Sequence, residues 1–135
     1  MKQNCIDYIK YHLEEAEERI KTAKNLLEDG SYRYSLSMSY YAIFNAATAL
    51  LTVKDLSSRR HSGIMALLDK EFVKQGIIDR TFSRIFSDAF YIRIDADYTK
   101  FYVASKDDAE HQIKNAEIFI NEIKRILKEK YEVDV

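Results

Sequence analysis

The stretch Tyr34–Val53, YSLSMSYYAIFNAATALLTV, contains no charged residue, although Arg33 and Lys54 flank it directly. Two apolar stripes run through it at helical spacing: Leu36, Tyr40, Ile43, Ala47 and Leu50, and Met38, Tyr41, Phe44, Thr48 and Leu51. A helix that is apolar on more than one face must be surrounded by other helices or by lipid. Its length suits a bilayer, but serine, threonine and asparagine residues interrupt it. The stretch therefore predicts the central helix of a soluble bundle rather than a membrane span.

The composition predicts a single all-α domain over residues 1–135. The chain has no proline and only three glycines, which leaves little material for strands joined by turns or for a linker. Cys5 is the only cysteine, so an internal disulfide and a zinc–cysteine site are excluded. The N-terminal residues lack an apolar segment of signal-peptide type, and we expect a cytoplasmic location. A net charge of −1 neither favours nor excludes nucleic acid as a partner.

Two helices joined by a short turn open the predicted bundle. Apolar residues alternate in steps of three and four through a highly charged segment, which predicts a helix over about residues 2–29. Gly30 is placed to end this helix in the left-handed conformation, and Ser31 is placed to cap the central helix. We therefore expect these two helices to form an antiparallel hairpin.

The second half of the chain predicts three more helices. Ser57 or Ser58 is placed to cap the third helix, and Gly76 is placed to close it. Asp79 is placed to cap the fourth helix, which we expect to end within residues 93–98.

Residues 99–104 show no helical period and predict an irregular connection. Ser105 with Asp108 resembles a capping box at the start of the last helix. The economical architecture is an up-and-down bundle of about five helices. The apolar stripes of the first and last helices are expected to pair with each other or to face a second copy.

One end of the bundle collects the residues best suited to chemistry. Because the turn around Gly76–Asp79 is short, the third and fourth helices should lie antiparallel, which places His61 and Arg93 at the same end. Arginine presents a planar fork that matches phosphate, and histidine exchanges protons near neutral pH. The candidate catalytic residues are Arg93 and His61, and the candidate binding residues are Arg60, Asp97, Tyr98 and Tyr41.

Other readings of these residues stay open. Arg93 and Asp97 are four residues apart, which also suits an ion pair at a helix end. Tyr98 with Phe101 and Tyr102 would offer a surface on which a base can stack. The paired Glu-x-x-His motifs of di-iron bundles are absent. We therefore expect neither a metal nor a cofactor.

Three segments stand out together: YSLSMSYYAIFNAA at 34–47, RRHSGI at 59–64 and RIDADY at 93–98. Together they resemble the HEPN superfamily, and in particular its small stand-alone prokaryotic members. The resemblance extends over nearly the whole chain. It implies an all-helical homodimer that binds or acts on RNA or nucleotides. Such proteins are often encoded beside a minimal nucleotidyltransferase of the MNT type, in toxin–antitoxin-like pairs.

The resemblance also implies a reaction, and the sequence departs from its motif. Catalytic members are metal-independent ribonucleases with an R-x(4–6)-H motif assembled across the dimer. No arginine stands at that spacing before any histidine of this chain. Arg93 occupies the place expected of the arginine, but Asp97 and Tyr98 follow it. A non-catalytic helical protein-interaction module is the alternative function.

Overall fold

The computed structural model describes all residues from Met1 to Val135 and contains five α-helices and no strand. The helices are α1 (Gln3–Glu28), α2 (Tyr32–Thr52), α3 (His61–Leu68), α4 (Arg80–Tyr98) and α5 (Lys106–Tyr131). One turn of π-helix, Asp69–Val73, continues α3. The predicted all-α bundle is confirmed. No helix is long and apolar enough to cross a membrane.

Helix α2 is the centre of the bundle, because it contacts all four of the other α-helices. Its first apolar stripe is buried throughout, and none of its members exceeds 2% exposure. The second stripe is covered only in part. Leu51 is buried, whereas four residues remain partly exposed and form what we call the α2 strip: Met38, Tyr41, Phe44 and Thr48. Within one chain this strip is therefore the one side of α2 that the other helices leave partly uncovered.

Most helix ends follow the predicted stop and start signals. Gly30 adopts a φ of 78°, and the Ser31 amide donates to the Leu26 carbonyl at 2.8 Å, which satisfies a carbonyl at the end of α1. The carboxylate of Asp79 accepts a hydrogen bond from the Thr81 amide at 3.0 Å. Ser31 itself makes no side-chain cap, so that prediction is wrong.

The start of the last helix also agrees with the prediction. The Ser105 hydroxyl accepts a hydrogen bond from the Asp108 amide at 3.0 Å, and the Asp108 carboxylate accepts one from the Ser105 amide at 3.3 Å. This reciprocal pair is the capping box expected from the sequence.

The start of α3 differs from the prediction. The helix begins at His61, and neither Ser57 nor Ser58 caps it. The Ser58 hydroxyl instead accepts a hydrogen bond from the Arg60 amide at 3.2 Å, which closes a local turn before the helix. The side chain is thereby committed to this turn. A serine hydroxyl that bonds a nearby backbone amide in a turn is not free to cap a helix.

Lys54, which follows the C-terminal end of α2, holds the π-helical turn after α3. The Lys54 Nζ atom donates to the Glu71 carbonyl at 2.5 Å and lies 4.5 Å from the centre of the Phe72 ring. Gly76 then ends the segment with a φ of 73°, as predicted. The first and last helices pack together, and Lys24 of α1 pairs with Glu117 of α5 at 3.3 Å.

Candidate functional site

The predicted histidine lies against the central helix. The His61 Nδ1 atom is 2.6 Å from the Tyr40 hydroxyl, and the ring centres of His61 and Phe44 are 4.4 Å apart. Tyr40 is fully buried, whereas His61 is only partly buried. A rigid, buried tyrosine therefore fixes the orientation of an imidazole that still reaches the surface.

The predicted arginine reaches the same two tyrosines from α4. The guanidinium carbon of Arg93 lies 5.7 Å from the centre of the Tyr40 ring and 5.2 Å from that of Tyr41. These distances are typical of cation–π contacts. His61 and Arg93 therefore share Tyr40 as a neighbour, as expected from the antiparallel arrangement of α3 and α4.

Asp97 positions Arg93. Its Oδ2 atom is 3.0 Å from the Arg93 Nε atom, and its Oδ1 atom accepts a hydrogen bond from the Ser37 hydroxyl at 3.1 Å. The Arg93 Nε–H is buried and does not align with the carboxylate, so this contact is an ion pair without a well-directed hydrogen bond. The terminal nitrogens of Arg93 form no hydrogen bond within the chain. The guanidinium is anchored at Nε and keeps donors for another anion.

The surroundings keep both His61 and Tyr40 uncharged near neutral pH. Burial, together with the positive charge of Arg93, lowers the pKa of His61 below its usual value of 6.5. Burial raises the pKa of Tyr40. In the tautomer that carries its proton on Nδ1, His61 donates to the Tyr40 hydroxyl oxygen, and Nε2 keeps a free lone pair. In its neutral form, His61 is suited to accept a proton.

Two of the predicted binding residues lie apart from this group. Arg60 is exposed and precedes the first residue of α3, and no contact of its side chain joins it to Arg93. Tyr98 is 74% exposed and projects about 140° around α4 from Arg93, at 3.6 residues per turn. Phe101, which would extend a stacking surface, is 93% exposed in the loop after α4. The structure thus brings together Arg93, His61, Asp97 and Tyr41.

Tyr40 and Ser37 complete the site, although neither was a candidate in the sequence. Tyr40 belongs to the fully buried stripe of α2, and its spacing indicates only a core residue. The available signal was chemical, because a buried tyrosine hydroxyl normally needs a hydrogen-bond partner. That partner is His61.

The site is an open face rather than an enclosed pocket. Five surface cavities of about 170–560 Å³ lie elsewhere on the protein, and none of these five is lined by His61 or Arg93. On the α1 side of the α2 strip, His12 Nδ1 lies 3.0 Å from Asn45 Nδ2 and contacts the Tyr8 ring edge to face. Burial lowers the pKa of His12, and the charge of Glu15 partly opposes this effect. No three His, Cys, Asp or Glu side chains come together as a possible metal cluster.

Comparison with known proteins places the chain in a family. The model of the HEPN domain matches residues 9–126. The chain belongs to the HEPN family. A Methanocaldococcus jannaschii protein named "Putative toxin MJ0605" is 38% identical over 117 residues, which is 87% of each chain.

Two further relatives support the assignment to the HEPN family. "Putative toxin MJ0142" of the same organism is 30% identical over 85% of this chain and 78% of its own. A "UPF0332 protein" of Thermotoga maritima is 30% identical over 90% of this chain and 92% of its own. The HEPN match begins within α1 and ends within α5, and two of the three relatives carry a toxin name.

Proposed function

We propose that this HEPN protein binds RNA or a nucleotide at the face formed by Arg93, His61 and Tyr41. We further propose that it works as a homodimer in a toxin–antitoxin-like pair with an MNT-type nucleotidyltransferase. The observation that carries the proposal is the meeting of Arg93 and His61 on Tyr40. It joins a phosphate-binding group to a proton acceptor at a partly exposed surface.

Phosphate recognition would rest on Arg93. Asp97 occupies only the Nε side of the guanidinium, so the terminal nitrogens remain available for bidentate contact with a phosphate. The ring of Tyr41, which is partly exposed, lies beside this charge and provides an aromatic surface. These features suit a ligand that combines phosphate with a planar base.

Cleavage of RNA without a metal is the reaction that the site would support. His61 would take the proton from a ribose 2′-OH as its oxygen attacks the adjacent phosphorus, and Arg93 would stabilise the charge on the phosphate. The 5′-oxygen would leave and take a proton from water, and His61 would release its accepted proton to water, which gives a 2′,3′-cyclic phosphate and a 5′-hydroxyl. In this proposal His61 from α3 substitutes in space for the histidine that the motif lacks after Arg93.

The homodimer is supported by the α2 strip, which leaves the middle of the central helix partly uncovered in one chain. A second copy would cover the Phe44 and Thr48 part of this strip and leave Tyr41 at the edge of the interface, open to the ligand. Multi-angle light scattering at micromolar concentration tests the proposal, and a monomer mass over that range would contradict it.

The partner proposal is supported by the toxin names of two relatives. Co-expression with an MNT-type nucleotidyltransferase from the same genome, followed by gel filtration, tests it. Co-elution in a defined ratio is expected. Separate elution of the two proteins would contradict a stable complex.

The ligand and the reaction are tested with purified protein and defined single-stranded RNAs in the presence of EDTA. Arg93→Gln removes the charge and keeps most of the side-chain length. Arg84→Gln is the matched control, because Arg84 is exposed on the same helix and projects about 180° away from Arg93. We expect Arg93→Gln alone to weaken RNA binding and, where wild type cleaves, to abolish cleavage.

The alternative function, a non-catalytic interaction module, predicts a different outcome. The pairing of Arg93 with Asp97 and its stacking on two tyrosines would then serve stability alone. Arg93→Gln would then lower the melting temperature. Wild type, Arg93→Gln and the control Arg84→Gln would all show the same weak, non-specific binding of RNA and nucleotide. Binding by wild type that depends on Arg93 would contradict this alternative.

A further inference from the structure

Arg19 is a second arginine that faces the site, from α1. Its Nε atom is buried and has no hydrogen-bond partner, and its side chain makes no ion pair. Elsewhere on the surface of α1, Lys24 and Glu17 each pair with a side chain of α5. A buried donor without a partner is costly. No pairing within the chain therefore explains why the charge of Arg19 is placed here.

Arg19 and Arg93 approach the same tyrosine from different helices. The guanidinium carbon of Arg19 lies 5.5 Å from the centre of the Tyr41 ring, and that of Arg93 lies 5.2 Å from it. Helices α1 and α4 both contact α2 but do not contact each other. Both guanidinium groups therefore lie beside Tyr41, and their separation cannot exceed the sum of these two distances.

The charge around Tyr41 favours an anion. Asp97 offsets the charge of Arg93, but no carboxylate pairs with Arg19. Glu15, one turn earlier on α1, acts on His12 and makes no ion pair with Arg19. Two arginines beside one aromatic ring thus carry one uncompensated positive charge, on a face whose α2 residues are uncharged.

We infer that Arg19 and Arg93 form a two-arginine clamp across Tyr41 that binds two phosphate groups of one ligand. This inference rests on the proposed function and deepens it, because it adds Arg19 to the site and sets the number of phosphates. Two neighbouring phosphates occur along a single RNA strand and in the polyphosphate chain of a nucleotide. Guanidinium groups recognise both through the same paired hydrogen bonds.

The test measures the binding of a fluorescent single-stranded RNA oligonucleotide at several salt concentrations, for wild type, Arg19→Gln and Arg93→Gln. Each arginine variant should lose at least about tenfold in affinity. Each should also reduce the slope of log K against log salt by about 0.7, the value for one phosphate contact on a single strand. Lys21→Gln is the charge-matched control, because Lys21 is exposed on the far side of α1, and its slope should stay near that of wild type.

A second series uses ATP as competitor and Arg19→Lys as a conservative variant. Arg19→Lys keeps the charge and should retain the wild-type slope while losing part of the affinity, since lysine lacks the planar fork. It also serves if Arg19→Gln does not fold, as judged by circular dichroism. Competition by ATP that depends on Arg19 would assign the clamp to a free nucleotide, whereas its absence would assign the clamp to the RNA strand.

The outcomes separate this inference from the proposed function. If Arg93→Gln weakens RNA binding and both Arg19 variants match Lys21→Gln, the clamp is wrong and the proposed function stands. If wild type binds neither RNA nor ATP, both are wrong. If Arg19→Gln and Arg93→Gln each lower the slope and Lys21→Gln does not, the clamp is supported.

Discussion

Removing the Tyr40 hydroxyl tests the contact that fixes His61. Tyr40→Phe keeps the buried ring and deletes only the group that lies 2.6 Å from His61 Nδ1. An intramolecular hydrogen bond contributes about 0.5–1.5 kcal/mol net. His61 is partly exposed, so water can reach the vacated Nδ1 position, and we expect a loss of about 1 kcal/mol in the free energy of unfolding. For a domain of this size, that loss lowers Tm by roughly 4 °C.

Urea unfolding followed by far-UV circular dichroism measures this loss. Nitrogen NMR of His61 reports the second consequence, because without the Tyr40 oxygen as acceptor for Nδ1–H the ring is no longer held in the Nδ1–H form. Tyr34→Phe is the matched control, since Tyr34 is 61% exposed on the same helix and its hydroxyl has no partner. We expect that control to change stability by less than about 0.5 kcal/mol. Equal stability and equal His61 spectra in the two variants would refute the reasoning.

Three other predictions concern stability. Leu50→Ala should cost about 2–5 kcal/mol in urea unfolding, because Leu50 is fully buried at the centre of the bundle; an unchanged midpoint would place it outside the core. Ser105→Ala should cost about 1 kcal/mol in the same assay, because it breaks the capping box of α5. Ser31→Ala, at a helix start without a side-chain cap, should cost clearly less, and equal losses would contradict the assignment. Stability should fall as the pH drops below 6.5, because the folded state lowers the pKa values of His12 and His61 and the unfolded chain binds protons first. Urea midpoints between pH 7.5 and 5.5 measure this loss. The double variant His12→Gln/His61→Gln should show a smaller fall of the midpoint over the same range.

Local signals predicted the bounds of most helices. Gly30 and Gly76 end segments because each takes a positive φ that other residues adopt at a cost. Asp79 and the Ser105–Asp108 pair start helices because their side chains satisfy amides in the first turn. The same logic failed at Ser58, because its hydroxyl had a second local partner in the Arg60 amide. Choosing between two local partners requires the path of the chain, which the sequence does not show.

The candidate site was predictable to the level of helix ends and no further. A short turn between two helices was sufficient to bring His61 and Arg93 to one end of the bundle. It did not determine which way each side chain points within a turn, and Tyr98 consequently projects away from Arg93 while Asp97 pairs with it. The role of each residue in binding or catalysis remains a prediction from the sequence.

The sequence by itself determined the helices, their order and the central position of α2, because periodicity and end signals act within a few residues of one another. Only the tertiary structure decided that Tyr40 contacts both His61 and Arg93 from within the core, and that Arg19 of α1 and Arg93 of α4 both lie beside Tyr41. These contacts join residues that are distant in the chain. Their geometry depends on how three helices pack, and no local pattern encodes that packing.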